Sequence, residues 1–339
     1  MASDESRLAN NLVLTAAAAV VVIAGIKSAA SMLVPFLLAV FIAVMSAPLM
    51  AWLTRHRVPS VLAVLLLVSL FVVIGMGLAT FVGGTVNAFY QDMPLYEQKL
   101  NALLQQGIAQ LRALGIEVAN DLVKEYVNPG VVMKTVASVF NGLGGVLTNT
   151  FLILFTVVFI LLEASGFPDK VKRAFGEQTL AFEHFARFSQ SVQQYLAIKT
   201  LVSFGTGLVI AIALSIIGVD YAPLWGLVAF LLNYIPNIGS IIAAVPAVLI
   251  ALIQLGLGSA LLTAAVFVGA NTLFGNVVEP RLMGRTLGLS TLVVFLSLVF
   301  WGWVLGPVGM LLSIPLTMVV KIALETRPQT RWLATLLDH

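Results

Sequence analysis

Ala222-Pro223-Leu224-Trp225 opens a hydrophobic stretch that runs through Asn233-Tyr234-Ile235-Pro236-Asn237-Ile238-Gly239 to Ile253-Gln254. Its interior break decides how the chain is read. As one straight helix, 222–254 would extend roughly 50 Å at 1.5 Å per residue, against a hydrocarbon core of about 30 Å. The prolines, glycine and asparagines at its middle therefore predict that it kinks hard or folds back. Unpaired amides in lipid cost several kcal/mol each, so a backbone opened at membrane depth has to be buried in protein or line a wet cavity. Paired broken segments of this kind mark substrate sites in transporters.

Residues 289–323 repeat the plan, with an apolar arm from Leu292 to Leu305, a break at Gly306-Pro307-Val308-Gly309 and a second arm containing Pro315. Pro236-Asn237-Ile238-Gly239-Ser240-Ile241-Ile242 matches Pro307-Val308-Gly309-Met310-Leu311-Leu312 with one residue dropped, and a second proline follows each, Pro246 or Pro315. Two readings fit. Either the segments are proline-kinked spans whose neighbours satisfy the freed backbone, or they are interrupted hairpins whose tips meet near mid-membrane. Excess length favours hairpins.

Charge placement favours them as well. The basic residues sit in short connections: Arg55 and Arg57, then Lys170, Lys172, Arg173, Arg187 and Lys199, then Arg281 and Arg285, and finally Lys321, Arg327 and Arg331. If all are cytoplasmic, as the positive-inside rule directs, both termini lie inside. That topology closes only if 222–254 re-enters from outside and 289–323 from inside.

The whole composition agrees with a membrane chain: 60% hydrophobic residues, 10% charged and a mean hydropathy of +1.04. Apolar runs at 12–26, 32–53, 60–86, 146–162, 200–217 and 257–275 predict six membrane helices beside the two broken hairpins. The fold class is thus an all-α polytopic membrane protein. Period-2 alternation is absent, which argues against a barrel. Asp4 and Glu5 make the leader acidic, so 12–26 reads as a retained span and not as a signal peptide.

Between the spans, 87–145 is a polar insertion. Its Leu100, Leu103, Leu104, Ile108, Leu111 and Leu114 recur at helical spacing, and Gly115 and Asn128-Pro129-Gly130 punctuate it into two or three helices. It reads as an extracytoplasmic lid, an oligomer contact or a plain connector. Phe182, Phe185, Phe188, Val192 and Tyr195 make an apolar stripe that suits an interfacial helix or a packing face. The organisation is therefore 1–86 N-terminal spans, 87–145 insertion, 146–199 span plus amphipathic helix, 200–325 transport core and 326–339 cytoplasmic tail.

Several chemistries are disfavoured. The chain has no cysteine, and His56, His184 and His339 show no metal-ligand spacing. No P-loop occurs. A net charge of +3 parcelled into loops encodes topology and not nucleic-acid binding. We expect no enzyme, no cofactor and no metal site.

Intramembrane acids are functional candidates by default. Glu163, Asp220 and Glu325 sit at span boundaries, whereas Glu279 lies in Gly275-Asn276-Val277-Val278-Glu279-Pro280-Arg281, where glycine and proline interrupt a helix. Glu279 and Arg281 are the gating or coupling candidates, against the blander reading of a surface pair of Glu279 with Arg281 or Arg285. Lys199 is explained by snorkelling. The remaining pathway candidates are neutral: Asn233, Tyr234, Pro236, Asn237, Gly239, Ser240, Asn271, Asn276, Gly306, Pro307 and Gly309. Thr272, Ser313 and Thr317 are further neutral polar groups. Amides and hydroxyls donate and accept, which suits an uncharged polyhydroxylated solute.

The runs Asn233-Tyr234-Ile235-Pro236-Asn237-Ile238-Gly239-Ser240, Gly275 to Arg285, Leu287-Gly288-Leu289-Ser290-Thr291-Leu292-Val293-Val294-Phe295 and Phe300-Trp301-Gly302-Trp303-Val304-Leu305-Gly306-Pro307-Val308-Gly309 resemble the autoinducer-2 exporter family, closest to its quorum-signal exporter branch. Many relatives carry a histidine-proline pair where this chain reads Ser290-Thr291. The resemblance implies an inner-membrane homo-oligomer, a pentamer with a pathway in each subunit, and an elevator-like movement of the hairpin-bearing core. It also implies a small neutral furanosyl polyol as the solute. Two alternatives stay open: a sodium or lithium/proton antiporter, which some members resemble and which would use Glu279, and a membrane scaffold without transport.

Overall fold

The computed structural model describes residues 14, 17–18, 20–114, 137, 150–164, 180–236, 238–283, 289–325 and 330–337. Among them there is no strand. Residues 20–28 are helical and pass through a turn at Ala29 into α1, Ala30–Arg55. There follow α2 (Ser60–Ala113), α3 (Thr150–Ala164), α4 (Leu180–Ile217), α5 (Ala222–Leu232), α6 (Ile238–Leu255) and α7 (Leu257–Asn271). A π-helix at Thr272–Val278 leads to α8 (Glu279–Met283), and α9 (Thr291–Leu311), α10 (Ser313–Glu325) and α11 (Arg331–Leu336) close the series.

Two compact units hold these elements. One comprises Met1–Val64, Leu152–Gln193 and Leu287–His339, and the other comprises Leu65–Phe151 and Gln194–Thr286.

Six described helices are long and apolar enough to cross a bilayer, and they only partly coincide with the expected runs. Helix α2 has 54 residues and passes 86/87 without a break, so the first part of the polar insertion continues the preceding span. Its punctuation at Gly115 and 128–130 lies outside the described residues. Helix α4 likewise runs 38 residues, which makes the amphipathic stripe the lead-in to the next span and not a separate element. Arm α6, of 18 residues, reaches spanning length by itself, whereas α9 is broken inside at Gly306.

What folds back is nonetheless visible inside each unit. Gln254, at the end of 222–254, accepts from the Asp220 N–H through Oε1 at 2.8 Å and donates from Nε2 to the Gly218 carbonyl at 3.1 Å. The two roots of the segment are thus joined. The described turn after α5 includes 233–236, where Ile235 N–H bonds the Leu232 carbonyl at 2.8 Å. Gly239 then packs so closely that a Cβ there would collide with the Leu232 carbonyl oxygen and lie 2.6 Å from its carbon. Only glycine permits that approach.

The second segment doubles back by the same device. Gly306 takes φ 70°, ψ −154°, a conformation essentially restricted to glycine, and Pro307 begins the return. A Cβ on Gly309 would collide with the Trp301 carbonyl oxygen. Trp301 Nε1 donates to Thr317 Oγ1 at 3.0 Å, whereas 16 residues of straight helix would separate them by about 24 Å. The matched glycines, Gly239 and Gly309, therefore do the same job in the two segments. Ser290, at the histidine-proline position, caps α9 by accepting from the Val293 N–H at 3.3 Å.

The core of the second unit forms where backbones approach. A Cβ on Gly207 of α4 would lie 2.6 Å from the Gly226 carbonyl of α5, and the reverse distance is the same. Small residues let membrane helices pack at this range. Along α6, the fully buried Ala243, Ala247 and Ala251 recur every fourth residue and share a core with Trp225, Leu214, Ile250 and Phe267. Phe89 and Tyr96 of α2 join the same core. Tyr96 donates to Asp220 Oδ2 at 2.6 Å, and Tyr221, at φ 60°, donates to Asp92 Oδ2. This crossed pair of Tyr–Asp bonds ties the continuation of α2 to the root of the first broken segment. Burial, and then the bond to the Asp92 carboxylate, pushes the Tyr221 phenol above its ordinary range.

Candidate functional site

A cavity of about 70 Å³ opens beside the 233–236 turn, lined by Lys199, Asn233, Ile235, Pro236, Ser240, Asn271, Gly275, Asn276 and Glu279. Three local features build it. The turn exposes Asn233, Pro236 and Ser240 from the first broken segment. The π-helix changes the register of the facing helix by one residue, and Glu279 N–H bonds the Phe274 carbonyl five residues back. Pro280 has no N–H, so the turn before it lacks a donor in any register. Such π-segments often occur at functional sites. The sequence pointed to an interrupted helix here, and the backbone instead continues through 257–283 as α, π and α in turn.

The third feature is α4. Lys199, Ser203 and Thr206, spaced i, i+4, i+7, are buried polar residues on one face of an otherwise apolar span. Lys199 Nζ donates to both oxygens of Glu279, at 2.9 and 2.8 Å, with side-chain exposures of 5% and 18%. The expectation that Lys199 snorkels is therefore overturned, because its ammonium stays buried on a carboxylate 80 residues away. Against the blander alternative, a surface pair with Arg281 or Arg285, Glu279 pairs with Lys199; Arg281 lies exposed on α8, and Arg285 is outside the described residues.

Neutral groups complete the lining. Asn233 Nδ2 donates to Ser203 Oγ at 2.9 Å, and the Tyr234 hydroxyl donates to Thr200 Oγ1 at 2.7 Å, which bonds the Leu196 carbonyl in turn. Asn271 Oδ1 lies at ordinary contact distance from where a Gly275 Cβ would be. Of the candidates drawn from sequence, Asn233, Pro236, Ser240, Asn271, Asn276 and Glu279 come together in the lining. Tyr234 turns to α4, and Gly239 packs beneath the turn. Asn237 lies outside the described residues. Gly306, Pro307 and Gly309 form the turn of the second broken segment, in the other compact unit. Lys199, Thr200, Ser203 and Gly275 were not among the candidates, although the polar spacing along α4 was visible. Among the described residues, no group of three or more acids or histidines could hold a metal.

Six apolar helices of spanning length, together with an ion-paired polar cavity framed by broken backbone, define a multi-pass membrane protein of the transporter class. The comparison with known families makes this specific. The family model described as AI-2E family transporter matches residues 14–329, and the chain belongs to that family. It is 43% identical over 319 residues to the AI-2 transport protein TqsA of Escherichia coli K12, covering 94% of this chain and 93% of that one. It is 42% identical over 327 residues to a putative transport protein of Haemophilus influenzae, at 95% and 94% coverage. It is 37% identical to the putative transport protein YhhT of Escherichia coli K12, at 96% and 94%.

Proposed function

We propose that this protein is a secondary transporter of the bacterial inner membrane that exports autoinducer-2 or a similar small neutral polar metabolite. The observation that carries the proposal is the cavity at the 233–236 turn, whose amides, hydroxyl and neutralised ion pair offer donors and acceptors without net charge. Its similarity to the AI-2 transport protein TqsA over nearly the whole chain supports the solute class.

Both broken segments are proposed to be re-entrant, with both termini cytoplasmic. Support comes from the joined roots at Gln254 and from the Trp301–Thr317 bond. Helix α5, at 11 residues, extends about 16 Å, half of a roughly 30 Å core, so a root at the boundary brings its turn near mid-depth. A cavity of about 70 Å³ accommodates a few waters and is well below the ~300 Å³ at which small-molecule sites begin. Solute entry therefore requires the turn and the π-helix to part, which fits an elevator-like cycle of a homo-oligomer.

A second reading, cation/proton antiport, is favoured by one observation only, the carboxylate of Glu279 at the cavity wall. Counterflow separates the two. Proteoliposomes preloaded with autoinducer-2 should accumulate labelled autoinducer-2 without any sodium or proton gradient. A sodium-driven proton flux with no autoinducer-2 counterflow would replace the exporter by the antiporter.

A further inference from the structure

The Lys199–Glu279 pair does more than hold two elements together. Three of the side chains that share the cavity with it, Asn233, Asn271 and Asn276, are uncharged amides, and Ser240 adds a hydroxyl. Lys199 is the one cation in that lining, and Arg281 is exposed on α8. Both carboxylate oxygens are already taken by the ammonium. A carboxylate flanked by amide oxygens would otherwise be a good seat for a hard monovalent cation. Here that seat is filled by a tethered one.

We propose that Lys199 is the resident counter-ion of the site: it remains on Glu279 while the site changes access, so the site crosses the membrane field uncharged and accepts a neutral polyhydroxylated solute in place of an alkali cation. The inference rests on the exporter reading for its solute and on the ion-pair geometry for its electrostatics. Lys199 is thus a specificity-determining residue, acting by occupancy. Solute hydroxyls meet the amides and the third ammonium proton, while a sodium ion would have to expel a buried ammonium to reach the carboxylate. Without Lys199, the carboxylate would recruit a proton or a metal cation in its place, because an unpaired charge in a low-dielectric site is strongly disfavoured.

The test uses the full-length protein and two readouts. In proteoliposomes clamped at 0 and −100 mV, wild-type autoinducer-2 efflux should change by less than twofold. K199M should acquire a dependence on voltage and on sodium or pH, up to roughly fiftyfold per 100 mV if one charge crosses the whole field. Wild-type flux that changes tenfold with potential, or K199M flux no more sensitive than wild type, overturns the inference while leaving the exporter reading intact. The second readout needs no solute: melting of purified protein between pH 5.5 and 8.5, in sodium or choline chloride. K199M should melt lower than wild type and recover part of that loss at the acid end or in sodium, and K199M/E279Q should lose that dependence and be more stable than either single variant. A K199M profile parallel to wild type, or a double variant no better than the worse single one, overturns the inference. Should wild type carry no autoinducer-2, the exporter reading falls and the melting profiles decide the counter-ion role by themselves.

Discussion

Replacing Gly239 by alanine is the sharpest test of how the first broken segment closes. The added methyl would collide with the Leu232 carbonyl oxygen, sit 2.6 Å from its carbon and 3.3 Å from Ile235 Cβ. Carbon–carbon contacts relax to about 3.5 Å and the carbonyl oxygen is nearer still, so α6 has to retreat from the end of α5 by at least about 1 Å. The obstructing atoms are backbone, which cannot rotate aside, so the cost falls toward the upper end of the 1–3 kcal/mol typical of overpacking. At roughly 2 °C per kcal/mol for a chain of this size, the purified protein should melt about 5 °C lower. Gly258 and Gly269 are the controls. A Cβ there meets nothing within 4 Å, and both lie within α7, so alanine should be neutral or stabilising by up to ~1 kcal/mol. A Gly239→Ala protein that melts with wild type, while its autoinducer-2 counterflow is unchanged, would refute the close approach of α5 and α6.

Further expectations concern the other turn, the polar network and the root. Gly306→Ala has open space for its methyl but a backbone conformation that alanine resists, so it should cost about 1–3 kcal/mol in melting experiments, from strain alone. Asn233→Ala leaves the buried Ser203 hydroxyl without its donor and should lose about 1–3 kcal/mol, read as a tenfold to hundredfold rise in the half-saturating solute concentration if the amide also meets solute. Tyr221→Phe removes the bond to Asp92 and should lower stability by about 1 kcal/mol. Because the folded Tyr221 phenol is held above its ordinary value, its contribution is complete below about pH 10 and disappears only as pH rises further, which alkaline melting curves of wild type and Tyr221→Phe would resolve.

The broken segments were legible because length and composition conflict: a hydrophobic stretch of 33 residues, 222–254, with Pro236 and Gly239 at its middle has no straight-helix solution in a bilayer. The equivalence of Gly239 and Gly309 was legible as an alignment, and the structure supplies its cause, a glycine pressed against the carbonyl of the preceding arm in each. The partner of Glu279 was not legible. A lysine near the start of a span is ordinarily explained by snorkelling, and nothing local to Lys199 announces a carboxylate 80 residues later. That pairing also sets the outcome of Glu279→Gln, which would strand a buried ammonium, a loss of about 3–5 kcal/mol under either transport reading, so it does not discriminate between them. The π-helix was hidden because it needs only one residue of register change, which glycine and proline signal as a break. Helix α2 passes position 87 because the change there is in polarity and not in helical propensity, and even Pro94 is carried inside it.

The absence of cysteine makes one measurement decisive for the central claim, that the cavity beside the 233–236 turn is where solute is handled. Ser240→Cys introduces the chain's only thiol into that lining with little change in volume. In oriented membranes, a small membrane-impermeant thiol reagent should label it from either face as the site alternates, and saturating autoinducer-2 should slow labelling at least severalfold. Labelling from neither face, or at a rate indifferent to autoinducer-2, would contradict the account.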